Sequence, residues 1–107
     1  MENPGPFVHV VFFWLKKSDS DEARTKFMNA LTKFIETVPG IRTSHIGSPA
    51  DTDRPVIDST YSYSLIVSFD SKKEHDIYQD HPLHKEFIAA AEDLWDKVQV
   101  YDSTIVE

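Results

Sequence analysis

The chain has 107 residues, 40% of them apolar, with seven Phe, four Tyr and two Trp, enough for one domain with its own core spanning 1–107. A formal charge of −7 disfavours nucleic acid and anionic membrane surfaces, which reward clustered Lys and Arg. Cysteine is absent, which removes thiolate nucleophiles, disulfides and thiolate metal sites; with no apolar run near the ~18 residues that span a bilayer and no signal-like N-terminus, the expected location is cytoplasmic.

Phe7 to Trp14 is an apolar run rich in β-branched and aromatic residues and predicts a strand. Both of its faces are apolar: Phe7, His9, Val11 and Phe13 on one, Val8, Val10, Phe12 and Trp14 on the other. Helices in a small α+β domain cover one sheet face. The second face therefore calls for a second subunit, and a homodimer through the sheet faces is expected. Ser18 to Glu22 supplies helix caps, with Asp19 and Glu22 at capping-box spacing, ahead of the stripe Ala23, Phe27, Leu31, Phe34, Ile35 and Val38. That helix stops at Pro39 and Gly40.

Ile41 to Gly47 predicts a second strand, and the polar stretch from Ser48 to Thr60 predicts a loop, with the role of a lid left open. Tyr61 to Phe69 predicts a third strand with Tyr61, Tyr63, Leu65, Val67 and Phe69 on its buried side. Ser71 and Glu74 form a capping box for a short helix to about Gln79, and Pro82 opens another helix marked by Leu83, Phe87, Ile88, Ala91, Leu94 and Trp95. Lys97 to Val106 closes as a strand. The order is β-α-β-β-α-β with a broken second helix, an α+β fold of the ferredoxin-like kind.

Tyr78, His81, Pro82, His84 and Phe87 carry the most chemistry. Pro82 forces the break by disfavouring helical geometry at His81 and suits the first turn of the next helix. Tyr78 and His84 can then converge across the corner. His84, in a helix's first turn, is kept neutral by the positive end of the dipole, the form a general base needs. The competing reading is a plain helix corner with a surface histidine. His9 on its apolar face is either a satisfied core residue or a titratable group in a cleft. His81 is expected to cap the corner, and its spacing to His84 is a weak metal signal. His75 shares a helix face with Tyr78, and His45 has no assigned role. Phe27, Phe34, Phe69, Phe87 and Trp95 either line a cavity or fill the core.

Five segments together resemble the Dabb, or stress-responsive α/β barrel, family: Phe7 to Phe12, Val38 to Ile41, Ile66 to Phe69, Tyr78 to Phe87 with its His81, Pro82 and His84, and Val100 to Asp102. The resemblance implies a ferredoxin-like subunit that dimerises sheet to sheet into an α/β barrel. In the plant polyketide cyclases of that family a tyrosine and a histidine act as the acid-base pair of an aldol-type closure, without a cofactor. The matching positions are Tyr78 and His84 as catalytic residues, with His9 as a substrate-binding residue. A further pocket histidine of the cyclases falls at Tyr63, a second substrate-binding position. The resemblance also offers a cation site on the backbone carbonyls of Ile35, Val38 and Ile41, though no metal or cofactor is assigned. Three functional readings follow: a dimeric small-molecule enzyme of cyclase, aldol, isomerase or lyase type; a non-catalytic stress-protective or ligand-binding dimer; and a haem or redox-cofactor protein of the wider barrel superfamily. The expected ligand is an apolar small molecule.

Overall fold

A computed structural model describes residues 3–106; residues 1, 2 and 107 of the expected domain lie outside the described residues. The elements are β1 (Phe7–Leu15), α1 (Asp21–Thr37), β2 (Thr43–Gly47), β3 (Tyr63–Phe69), α2 (Lys72–Asp80), α3 (Pro82–Ala91), a 3-10 turn at Glu92–Leu94, and β4 (Trp95–Thr104). This is the expected β-α-β-β-α-β order with the second helix split. The strands form one antiparallel sheet in the order β2-β3-β1-β4, so the most apolar strand takes a central place.

The alternation along β1 has the predicted consequence. Phe7, His9, Val11, Phe13 and Leu15 are buried, while Val8, Val10, Phe12 and Trp14 are half-buried on the opposite face. Register carries the inner face across the sheet: Phe7, His9, Val11 and Phe13 sit opposite Phe69, Val67, Leu65 and Tyr63 of β3. On the other side His9, Val11 and Phe13 oppose Asp102, Val100 and Val98 of β4. Phe27, Leu31 and Phe34 of α1, spaced four and three apart, lie against this face fully or almost fully buried, each contributing roughly 2–3 kcal/mol of burial.

Several boundaries differ from the sequence expectation. Ser20, rather than the Asp19–Glu22 box, caps α1: its Oγ accepts from the Ala23 N–H at 3.2 Å. The acidic Asp21 and Glu22 fall in the first turn, where the helix dipole favours them. Ser71 does cap α2, accepting from the Glu74 N–H. After α1, Gly40 turns the chain with φ +94°, and β2 begins at Thr43 instead of Ile41. The apolar period of α3 extends past its end: Leu94 lies in the 3-10 turn and Trp95 opens β4. Trp95 reaches the same core from the strand, 5.4 Å from the Phe13 ring and 6.0 Å from Phe87. Periodicity marks which face a residue buries, and two consecutive elements here bury toward the same place.

Candidate active site

Two helices share one residue at the corner. His81 (φ −66°, ψ 140°) ends α2 and caps α3, with Pro82 in the first position of α3. Its N–H donates to the Tyr78 carbonyl at 3.3 Å, and its Nδ1 accepts from the Leu83 N–H at 3.1 Å. The extended backbone that Pro82 imposes on His81 thus turns the chain while both helix ends stay capped. Tyr78 in the last turn of α2 and His84 in the first turn of α3 meet edge to face, ring centroids 5.4 Å apart. His9 of β1 stands 5.7 Å from the Tyr78 ring.

These three residues border one cavity of about 140 Å³ between sheet and helices, closed by Phe34, Phe87 and Trp95. Val11, Phe13 and Leu65 form its floor on the sheet, and Val98 and Val100 of β4, also in its lining, are more than a third exposed, so the cavity opens over β4. A larger hollow of about 680 Å³ lies on the outer side of α2 among Lys72, Asp76, Asp80 and Pro82. It is shallow and contains neither Tyr78, His84 nor His9, so volume alone does not mark the site.

Tyr78 is 1% exposed, yet its hydroxyl takes no part in the side-chain hydrogen bonds among the described residues. No sealed side-chain nitrogen or oxygen lacks a partner there, so the hydroxyl is not sealed; it reaches the cavity. Burial, reinforced by the Asp102 carboxylate, pushes the phenol well above its ordinary range, and it stays an O–H donor. The His84 ring is likewise free of protein hydrogen bonds among the described residues. Burial first, then the neighbouring His9 and His75, holds it below the usual imidazole value. A neutral acceptor and a protonated donor therefore face the same space.

His9 is held more firmly. Its Nδ1 lies 2.5 Å from Asp102 Oδ1, opposite it in the strand register. Burial pushes His9 down while the Asp102 hydrogen bond and charge pull the other way, with burial the larger effect. Its Nε2 faces the Gln79 amide nitrogen at 3.3 Å. Tyr63 stands apart from the cavity, its ring stacked on Phe27 at 5.4 Å. Ile35, Val38 and Ile41, the carbonyl positions offered for a cation, lie at the end of α1 and in the turn beyond it.

Two site residues were given no role by the sequence, Asp102 and Gln79, and His75 was placed on the helix face of Tyr78 without a partner. Asp102 breaks the apolar inner face that Val98 and Val100 begin on β4, and that interruption was the available signal. Gln79 stands four residues beyond His75 on that same helix face, and this i, i+4 spacing was the signal for it.

The family model described as Stress Responsive A/B Barrel Domain (Dabb) matches residues 7–105. No curated protein sequence matches the chain. Among solved structures, a Dabb family protein with a ferredoxin-like fold from Mesorhizobium loti is similar with a TM-score of 0.78 and 20% identity, covering 94% of this chain and 97% of that one. A hydroxynitrile lyase from Passiflora edulis is similar with a TM-score of 0.76 and 19% identity, covering 98% and 97%. A dimeric ferredoxin-like protein of unknown function from Thermobifida fusca follows at 0.73 and 17%, covering 92% and 90%. At these identities the likeness is one of fold. Among the described residues, no helix is long and apolar enough to cross a membrane.

Proposed function

The chain belongs to the stress-responsive A/B barrel domain family, and on that premise we propose that it is a homodimer that binds a small carbonyl compound and performs acid–base chemistry on it without a cofactor. The observation that carries this reading is the pairing of an unpartnered phenol with an unpartnered, neutral imidazole at one cavity. His84 removes a proton from a carbon next to the carbonyl, or from a hydroxyl beside the bond to be broken. Tyr78 donates its O–H to the oxygen on which negative charge develops, from a buried ring fixed by its packing. His9, fixed by Asp102, presents Nε2 to the substrate once Gln79 moves aside. Aldol closure, isomerisation and lyase chemistry share this step, and the shape likeness to a hydroxynitrile lyase supports the lyase branch.

A cavity of about 140 Å³ is smaller than the roughly 300–1,000 Å³ of drug-sized sites, which favours a compact substrate or one that projects over β4. The substrate contact proposed for Tyr63 requires a ligand that reaches beyond this cavity. The homodimer rests on the outer face of β1, where Val10 and Phe12 remain half-buried and Tyr101 beside them is 60% exposed.

The test needs no knowledge of the true substrate. Small ketones, aldehydes and cyanohydrins are incubated with the protein in D₂O, and exchange of the hydrogens next to the carbonyl, or release of cyanide, is followed by NMR and colorimetry. The expected result is turnover that falls about 100-fold or more in His84→Ala. Absence of exchange, cleavage and ligand-induced shifts across the panel would return the chain to the non-catalytic reading.

A further inference from the structure

His75 has no part in the reaction proposed above, yet it is 8% exposed and stacked on Phe7 with centroids 4.4 Å apart. Its Nδ1 lies 3.2 Å from Asp76 Oδ1, and its Nε2 lies 3.4 Å from the Gln79 amide nitrogen. His9, on the strand opposite, is wired the same way, with Nδ1 on Asp102 and Nε2 3.3 Å from that same amide nitrogen. A carboxylate takes the hydrogen of each Nδ1, so each Nε2 carries a lone pair, and the amide offers both of its hydrogens. The opposite amide orientation would set its oxygen against two lone pairs, so this one is chosen by the network.

Two imidazole lone pairs therefore converge on one point, and Asp102 Oδ2 stands 3.9 Å from His75 Nε2. Donor atoms of His9, His75 and Asp102 all lie within 4.8 Å of one another. A carboxylate behind the imidazole, as Asp76 stands behind His75, is how metal-ligating histidines are oriented and made more basic. We propose that His9, His75 and Asp102 form a binding site for a divalent first-row transition ion, zinc being a good match to two imidazoles and a carboxylate, and that the Gln79 side chain is the latch that fills this point in the metal-free chain. The proposal rests on neither Tyr78 nor His84, but it uses His9 Nε2, the atom the proposed reaction offers to the substrate, so an ion bound there takes that contact.

Zinc–nitrogen distances of about 2.0–2.1 Å require each Nε2 to close by roughly 1 Å after Gln79 swings out. His75 can do so by sliding its ring over Phe7. Asp102 must turn off His9 Nδ1 to bring an oxygen onto the ion, since a carboxylate held on one ring nitrogen cannot reach an ion on the other. Its side chain is 40% exposed, which leaves a side open for the ion to enter and for a water to complete its coordination. Asp76 is held from behind by Lys72 Nζ at 2.6 Å, which keeps it in place behind His75 rather than on the ion.

Tag-free, chelator-stripped full-length protein is titrated with zinc chloride by calorimetry and with cobalt(II) by visible absorption. The expected result is one ion per chain, with affinity reduced about 10-fold or more in His75→Ala and in Asp102→Asn. Gln79→Ala removes no ligand and is expected to tighten binding, so it keeps the test meaningful if His75→Ala folds poorly by circular dichroism. No binding at millimolar zinc overturns the proposal. So does an affinity that survives in folded His75→Ala, because exposed histidines are then the ligands, and so does weaker binding in Gln79→Ala.

Discussion

Replacing Tyr78 by Phe separates a catalytic tyrosine from a structural one. The ring is packed by Phe69 at 5.0 Å, Phe34 at 5.3 Å and His84 at 5.4 Å between centroids, contacts that phenylalanine keeps. The hydroxyl has no protein partner among the described residues and reaches only the cavity. A structural hydroxyl that held a buried hydrogen bond would cost about 1 kcal/mol or more on removal. An unpaired one carries a desolvation penalty of roughly 1–3 kcal/mol when fully sealed, and less here because the cavity admits water. Tyr78→Phe is therefore expected to leave stability within about 0.5 kcal/mol of the parent or to raise it slightly, while turnover of a carbonyl substrate falls. At roughly 4 °C per kcal/mol for a domain of this size, the melting temperature should move by only about 2 °C. Thermal unfolding by circular dichroism at fixed protein concentration, needed because a dimer's stability depends on concentration, is compared with exchange or cleavage activity on the same samples. A fall of more than about 6 °C, with activity lost only in proportion to the unfolded fraction, would refute the reasoning and make Tyr78 a core residue.

Acidification should destabilise the fold through His9 and His84. Both lie below the ordinary imidazole value of 6.5 in the native chain, so the unfolded chain binds more protons below that pH; their contribution is complete above pH 6.5 and is lost as pH falls through the lowered native values. Histidine ring NMR titrations should place both midpoints below 6.5, urea midpoints should drop over the same window, and a midpoint that rises on acidification contradicts the burial argument. Activity that depends on neutral His84 should rise with pH through its lowered value and level off above it. Ser68→Ala should cost roughly 1–3 kcal/mol in urea unfolding, because the fully buried Ser68 hydroxyl serves the Thr43 N–H at 3.1 Å, the Thr43 hydroxyl at 2.5 Å and the Pro4 carbonyl at 2.6 Å; a loss below about 0.5 kcal/mol would mean water replaces it. Phe12→Asp on the outer sheet face should convert a dimer to a monomer in sedimentation equilibrium, and a parent chain that sediments as a monomer removes the dimer proposal.

The parts of this molecule that were legible in the sequence depend on neighbours in the chain. Pro82 acts on His81 next to it, and from that one steric restriction follow the split helix and the meeting of Tyr78 with His84. The alternation of Phe7 to Trp14 reports two apolar faces without reference to any other strand. Register is where the reading stopped: nothing local says that Asp102 falls opposite His9, 93 residues away in sequence. The Gln79 bridge needs that register and the packing of α2 over β1 as well. Trp95 shows the converse error, since its place in the helical period of Leu83, Phe87 and Ala91 was real but its element was not. A period describes a direction of burial, and β4 begins where that direction is still being followed.

Where the buried polar groups lie bears on what the corner is for. Among the described residues the buried polar or charged side chains are His9, Ser64, Ser68 and His75. Ser64 and Ser68 lie on the outer side of β3 with Ile66, where a hydroxyl can serve the neighbouring backbone. His9 and His75 instead take inner positions among Phe7, Phe69 and Tyr78. An apolar side chain of similar volume would fill either place without desolvating an imidazole, which costs roughly 1–3 kcal/mol. Asp102, Asp76 and Gln79 offset that cost by about 1 kcal/mol per hydrogen bond, so the network at best returns to what plain core would have supplied. Stability therefore does not explain two imidazoles, an amide and a carboxylate gathered beside a phenol with a free hydroxyl. Local rules that a core would obey are set aside in one place, at the mouth of the cavity, and sequences set them aside where function requires it.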